Sequence, residues 1–364
     1  MRDKERLMSL DAFRGFTIAA MIMVNNPGSW SHVYAPLLHK PWHGITVTDL
    51  IFPFFLFIVG ISIALAYTKR VEAGIPKGDM YKRIVWRSVK IFAVGIFLSL
   101  YPKFNFEELR VAGVLQRIAI VFLVCAILFL SVRWKKQAVT GVALLILYWL
   151  AMVLIPTPGY GKPMLEPGIN LAAWIDSYML PGRMWQKTWD PEGLFSTFPA
   201  IATGITGMLA GSLIVSKKTT EEKIIWLFTA GFIALAIGHA WSWFFPLNKN
   251  IWTSSFVMVT SGLAALTLAT SMYIIDVSGY KKIACPGVVF GSNAITVYVL
   301  AGVVGYLFYG IHMGGASLNV HFMNLLTGIG FEPRFSSFLF AFLYIGLFYI
   351  PAWIMHKKNI FIKL

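Results

Sequence analysis

Eighteen consecutive residues without a charge, LIFPFFLFIVGISIALAY at 50–67, constrain this chain more than any other feature. As a helix, such a run crosses the roughly 30 Å hydrocarbon layer of a bilayer. Similar runs recur near 10–25, 84–101, 113–131, 138–155, 195–215, 222–243, 252–274, 287–311 and 335–356. With the segment at 48–68 they predict an all-α, polytopic integral membrane protein of about ten transmembrane helices. Composition points the same way: 57% hydrophobic, 13% charged and a mean hydropathy of +0.70. Soluble chains have about 45–50% apolar and about 25% charged residues.

The formal net charge is +15. In a soluble domain that would suggest nucleic acid; here it reports topology, because basic residues collect in cytoplasmic loops. With the N-terminus inside, the inner segments hold Arg2, Lys4 and Arg6, the cluster from Lys69 to Lys90, Arg133 to Lys136, Lys217 to Lys223, Lys281 and Lys282, and Lys357 to Lys363. The outer segments are longer but hold fewer basic residues. Both termini are therefore expected in the cytoplasm. Cys125 and Cys285 form no disulfide framework. Asp11 and Arg14 interrupt the first apolar run and no small-residue cleavage site follows, so it is expected to remain as the first span. No internal repeat or low-complexity tract divides the chain, which is expected to be one domain over 1–364 with outer loops at 26–47, 156–194 and 312–334. The stretch INLAAWIDSYM at 169–179 predicts a short amphipathic helix within the second loop.

Six of the seven histidines fall on the expected outer half. Imidazole is the side chain best suited to proton transfer near neutral pH, although histidines also sit at membrane interfaces for no chemical reason. His39 stands apart because it lies four residues after Ala35-Pro36, is followed by Pro41 and Trp42, and belongs to a loop pinned between two spans. Asn25 ends the first helix at membrane depth, as a cap or as an amide facing a cavity. Asp49 opens the second helix, where a carboxylate is stabilised by the N-terminal N–H groups; it could also fix a histidine tautomer or bind an amine. Arg14 follows Asp11 by three residues and can pair with it. Arg117 has no local partner in GVLQRIA, and an arginine within a span is a functional candidate by default. Lys249 is the one charge in FFPLNKNIWTSS, where snorkelling would explain it, and Asn293 in GSNAITVYV could bridge helices or bind a ligand. Zinc spacing, a phosphate loop and a GxSxG elbow are all absent from the sequence.

LMSLDAFRGF (7–16), MVNNPG (23–28) and HKPWHGITVTDLIFPFFLFIVG (39–60) resemble the opening of the heparan-α-glucosaminide N-acetyltransferase family, including its bacterial members. RVAGVLQRIAI, AAWIDSYMLPG, WDPEGLFST, FPLNKNIWTSSF and GSNAITVYV continue the resemblance in order along nearly the whole chain. It implies transfer of an acetyl group from cytoplasmic acetyl-CoA, as co-substrate and without a metal, to an amino sugar or glycan on the far side of the membrane. It implies His39 as the catalytic centre, with Asn25 beside it to orient the ring or hold the oxyanion. On that hypothesis Asp49, Trp42, Asn248, Lys249 and Asn293 bind the acceptor, and Arg14 and Arg117, near the inner face, hold the phosphates of acetyl-CoA. The lipid bilayer is the expected surrounding, nucleic acid is not a partner, and a homodimer is kept among the assemblies considered. The chain is expected to lack the N-terminal luminal domain of the lysosomal members, and a bacterial inner membrane is then the expected location.

Two other classes compete. A permease for amino sugars would show inverted repeats and broken helices, neither of which is visible in the sequence. An acyltransferase for another cell-envelope sugar would differ only in its outer pocket. A non-catalytic scaffold is the remaining reading.

Overall fold

A computed structural model describes residues 7–362. Arg2, Lys4, Arg6 and Lys363, which count toward the expected inside charge, lie outside the described residues. In chain order the helices are α1 (Met8–Asn25), α2 (Val47–Glu72), α3 (Lys77–Leu100), α4 (Val114–Ser131), α5 (Trp134–Leu154), α6 (Leu171–Met179), α7 (Thr197–Val215), α8 (Thr220–Trp241), α9 (Ser254–Ser271), α10 (Lys281–Ser292), α11 (Ala294–Tyr309), α12 (Leu318–Gly328) and α13 (Pro333–Lys357). A π-helical turn (Met272–Val277) continues α9, and a two-residue hairpin pairs His312–Met313 with Ala316–Ser317. The protein is an all-α polytopic membrane protein.

All ten apolar segments are helical. Seven described helices (α2, α4, α5, α7, α8, α9 with its π-turn, and α13) are long and apolar enough to cross a membrane, and α10 with α11 makes an eighth as a pair bent by 71°. α1 and α3 fall short of that test because they carry charge: Asp11 and Arg14 in the former, six basic or acidic residues from Lys77 to Lys90 in the latter. The 71° break corrects the expectation that no helix is broken. It falls at Asn293, whose backbone (φ −133°, ψ 41°) leaves the helical region.

We expected one domain; the described chain divides into two compact units. The first comprises residues up to Lys40, then Thr46–Phe52 and Ser271 onward; the second comprises Pro41–Ile45 and Pro53–Thr270.

In the first unit, α1 stops where Asn26 turns its amide back onto the Ile22 carbonyl (2.7 Å) and Pro27 follows. α1 and α10 pack backbone on backbone. A Cβ at Gly15 would lie 1.7 Å from the Gly287 carbonyl oxygen. In a bilayer such close approach supplies the dispersion contacts that hold helices together. Gly15→Val is therefore expected to separate α1 from α10 and cost about 3 kcal/mol or more. A thermal melt of the purified variant tests this, and an unchanged midpoint would show that the helices can part without cost.

In the second unit, a Cβ at Gly207 on α7 would meet the Phe57 carbonyl of α2 at 2.0 Å. Thr219 and Glu222 form a reciprocal capping box at the start of α8. The predicted amphipathic helix is α6, begun by Asn170, whose side chain accepts from the Ala173 N–H.

Candidate active site

His39 lies at the end of a loop that the first unit holds at several points. The Gly28 N–H donates to the Ser337 carbonyl (3.2 Å), the Ser29 N–H to the Ser337 hydroxyl (3.0 Å), and the Asn319 amide to the Gly28 carbonyl (3.0 Å). Thr48 donates to the Pro36 carbonyl (3.2 Å). At the end of this path His39 Nδ1 stands 2.7 Å from Asp49 Oδ1. The other carboxylate oxygen, Oδ2, accepts the Lys40 N–H (3.0 Å) and the Thr46 N–H (3.0 Å), and lies 3.1 Å from the Thr46 hydroxyl. Asp49 is wholly buried in the first turn of α2, whereas 46% of the His39 side chain is exposed.

These contacts select a tautomer. A carboxylate can only accept, so Nδ1 of His39 carries a hydrogen, and in the neutral ring Nε2 is the nitrogen with the lone pair. An imidazole whose Nδ1–H is held by a buried carboxylate has the arrangement of a general base that would act through Nε2. Asp49 was expected in the acceptor pocket. Its two oxygens are instead engaged by His39 and by the chain around it. Asn25 is the exposed last residue of α1, and its side chain makes no hydrogen bond among the described residues.

In the second unit the segment Pro41–Ile45 is tied to two loops. Gly44 donates to the Leu247 carbonyl (2.7 Å), and the Asn250 amide donates to the Pro41 carbonyl (3.2 Å). The Trp42 indole donates to the Leu165 carbonyl (2.8 Å), and its ring meets Trp189 edge-on at 5.0 Å. Asn248 is fully buried and organises its loop: Oδ1 accepts the N–H groups of Asn250 (2.8 Å) and Ile251 (3.2 Å), and Nδ2 stands 3.4 Å from His43 Nδ1. Lys249, beside it, is half-buried. The sequence placed His43 among the outer histidines without singling it out. The dipeptide WH ahead of a glycine was the available signal, but its partner lies 205 residues away.

Arg117 departs from expectation. It lies in the first turn of α4, fully buried, with Nη2 donating to the Gly193 carbonyl (2.9 Å) and to the Ser196 hydroxyl, over the ring of Trp252. Gly193 lies in the 156–194 loop and Ser196 directly follows it, so Arg117 belongs to the same end of the unit as that loop. With 1% exposure it offers no surface to a phosphate. Arg14 pairs with Asp11 at 3.2 Å and keeps 23% of its side chain exposed. Asn293 is spent on the chain itself: its amide donates to the Ile360 carbonyl (2.8 Å) and accepts the Ile362 N–H (2.9 Å).

Sequence reasoning missed an ion network in the second unit. Arg110 grips Asp190 through two nitrogens and also reaches Glu192, over the ring of Trp185. This holds the Asp190 carboxyl below its ordinary range despite its burial. Asp176 on α6 is buried nearby and accepts the Phe195 N–H (3.1 Å). Burial pushes its carboxyl up to about 6, against the pull of that N–H and of Arg117. The native chain therefore binds a proton here that the unfolded chain releases at its ordinary value near 4. Stability from this group is present below about pH 4 and is lost as pH rises toward 6, by roughly 3 kcal/mol. Asp176→Asn is expected to remove that component. The difference between wild-type and variant melting midpoints from pH 4 to 7 measures it, and parallel curves would contradict it.

A family described as heparan-alpha-glucosaminide N-acetyltransferase, catalytic, matches residues 6–242, which include the His39–Asp49 pair. The chain belongs to this heparan-alpha-glucosaminide N-acetyltransferase family. Among curated relatives, the human heparan-alpha-glucosaminide N-acetyltransferase is 30% identical over 353 residues, covering 81% of this chain and 52% of the relative. The mouse protein of the same name is 29% identical over 352 residues, with 81% and 53% covered. The chain thus spans about half the length of the curated relatives it matches.

Proposed function

We propose that this protein is a membrane-embedded acyltransferase that moves an acetyl group from cytoplasmic acetyl-CoA to the amine of an amino sugar on the opposite side of the membrane. The observation that carries the reading is the His39–Asp49 pair, an exposed base locked by a buried carboxylate. Family membership supplies the reaction class.

In this reading Nε2 of His39 takes a proton from the acceptor amine as its nitrogen attacks the thioester carbonyl. A C–N bond forms, the C–S bond breaks, and the proton passes to the departing CoA sulfur. His39 could also carry the acetyl group in an intermediate step; an acetyl-enzyme trapped without acceptor would select that route. Asn25 offers its exposed amide to the carbonyl oxygen. Trp42, Asn248 and Lys249 serve the acceptor. Arg14 and the inner basic residues serve the phosphates; Arg117, being enclosed, instead braces the start of α7. In this reading both termini are cytoplasmic and the membrane is a bacterial inner membrane.

The bent α10–α11 pair is the one observation that favours a permease. Its break does not offer a substrate site, because Asn293 there is filled by the backbone of Ile360 and Ile362. Protein reconstituted in bilayer discs with labelled acetyl-CoA and a panel of amino sugars decides the matter. N-acetylated sugar supports the enzyme. Uptake of amino sugar into proteoliposomes without acetylated product would replace it with the permease.

A further inference from the structure

Two histidines four residues apart are held by different partners. His39 faces a carboxylate, whereas His43 faces the amide of Asn248. The orientation of that amide is settled by its surroundings. The atom that accepts the Asn250 and Ile251 N–H groups must be oxygen, so the atom toward His43 is the NH₂ nitrogen. It donates to Nδ1, and neutral His43 therefore carries its own hydrogen on Nε2. Protonating Nδ1 would set two donors against each other. Partial burial likewise holds the imidazole below its ordinary value, against the pull of Glu166.

His43 is exposed, next to Trp42, whose indole N–H is fixed on Leu165 and whose ring is braced by Trp189. The local groups are thus a hydrogen-bond donor, a half-buried aromatic surface and the Glu166 carboxylate. An aromatic surface suits the C–H face of a pyranose, a donor suits a hydroxyl, and a carboxylate favours an ammonium and repels an anion. The set fits an amino sugar better than the phosphates of acetyl-CoA.

We propose that His43 is a specificity-determining residue that donates its Nε2–H to a ring hydroxyl of the acceptor sugar, in a tautomer imposed by Asn248. The assignment rests on the acetyltransferase reading for the identity of the acceptor.

Asn248→Asp tests it with little change of shape. One carboxylate oxygen retains the two N–H groups of the loop, while the other draws the proton to Nδ1 and leaves Nε2 an acceptor. Calorimetric binding of glucosamine to the reconstituted full chain is expected to weaken about tenfold in Asn248→Asp and in His43→Ala, the worth of one hydrogen bond. The double variant should be no weaker than His43→Ala, and acetyl-CoA affinity should be unchanged in all three. ¹⁵N spectra of histidine-labelled protein near neutral pH should show the His43 proton on Nε2 in the wild type and on Nδ1 in Asn248→Asp, the signal being assigned by its loss in His43→Ala. Unchanged glucosamine affinity in both single variants, no glucosamine binding by the wild type, or a wild-type proton on Nδ1 would each overturn the proposal. Binding is read without turnover. Wild-type protein that binds glucosamine in this manner but never acetylates it would sink the transferase and leave His43 in place. Transfer with a glucosamine affinity indifferent to His43→Ala would do the reverse.

Discussion

Asp49→Asn is expected to lower acetyl transfer by roughly 10²–10⁴-fold while leaving the fold intact. The size follows from which atom of the new amide would face His39. Two backbone N–H groups, from Lys40 and Thr46, point at the present Oδ2, and the Thr46 hydroxyl lies beside them. An asparagine must therefore place its oxygen there and its NH₂ toward His39 Nδ1. That amide donates where the carboxylate accepted, so the ring proton moves to Nε2, which ceases to be a base. The local hydrogen bonds survive, and the melting midpoint should change little. Single-turnover transfer alongside a melt separates the two effects. A variant as active as the wild type would show that the tautomer of His39 does not matter.

His39→Ala is expected to reduce transfer at least as far, by roughly 10²–10⁴-fold if the ring acts as base, and completely if it carries the acetyl group. Because 46% of the side chain is exposed, its removal leaves no buried cavity. It does leave the Asp49 carboxylate without its imidazole partner, so a modest loss of stability should accompany the loss of rate. Acetyl-CoA binding should persist, since the reading places the phosphates elsewhere. Loss of acetyl-CoA binding together with transfer would recast His39 as part of the donor site. Added imidazole offers a further check, as it can supply a base in the vacated space.

Much of the fold was legible because a bilayer imposes it. Any chain that buries its backbone polar groups in hydrocarbon must do so as long apolar helices or closed barrels, and the ten runs announce themselves. α6 was legible from its amphipathic pattern. The break at Asn293 was not: GSNAIT contains no proline, and the bend depends on a partner nearly seventy residues later, the Ile360–Ile362 backbone. The π-turn after α9 left no visible signal either. In the site, His39 could be singled out from its setting, and the Arg14–Asp11 pair followed from helical spacing. The saturation of Asp49 could not be foreseen, because it needs the exact path of residues 40–46. The same limit applies to Arg117. A sequence shows that a cation lies within an apolar run, but not that its partners are the Gly193 carbonyl and the Ser196 hydroxyl, 76 and 79 residues on. The Arg110–Asp190–Glu192 network is likewise built between elements that only folding brings together.

The central claim is that His39, held by Asp49, transfers acetyl to an amine. The most direct test is a single-turnover reaction of reconstituted protein with labelled acetyl-CoA and glucosamine, with wild type, His39→Ala and Asp49→Asn compared at equal acetyl-CoA occupancy. The account predicts N-acetylglucosamine from the wild type and a loss of roughly 10²-fold or more in both variants. Equal rates in all three proteins, or no product from acetyl-CoA-loaded wild type, would contradict it.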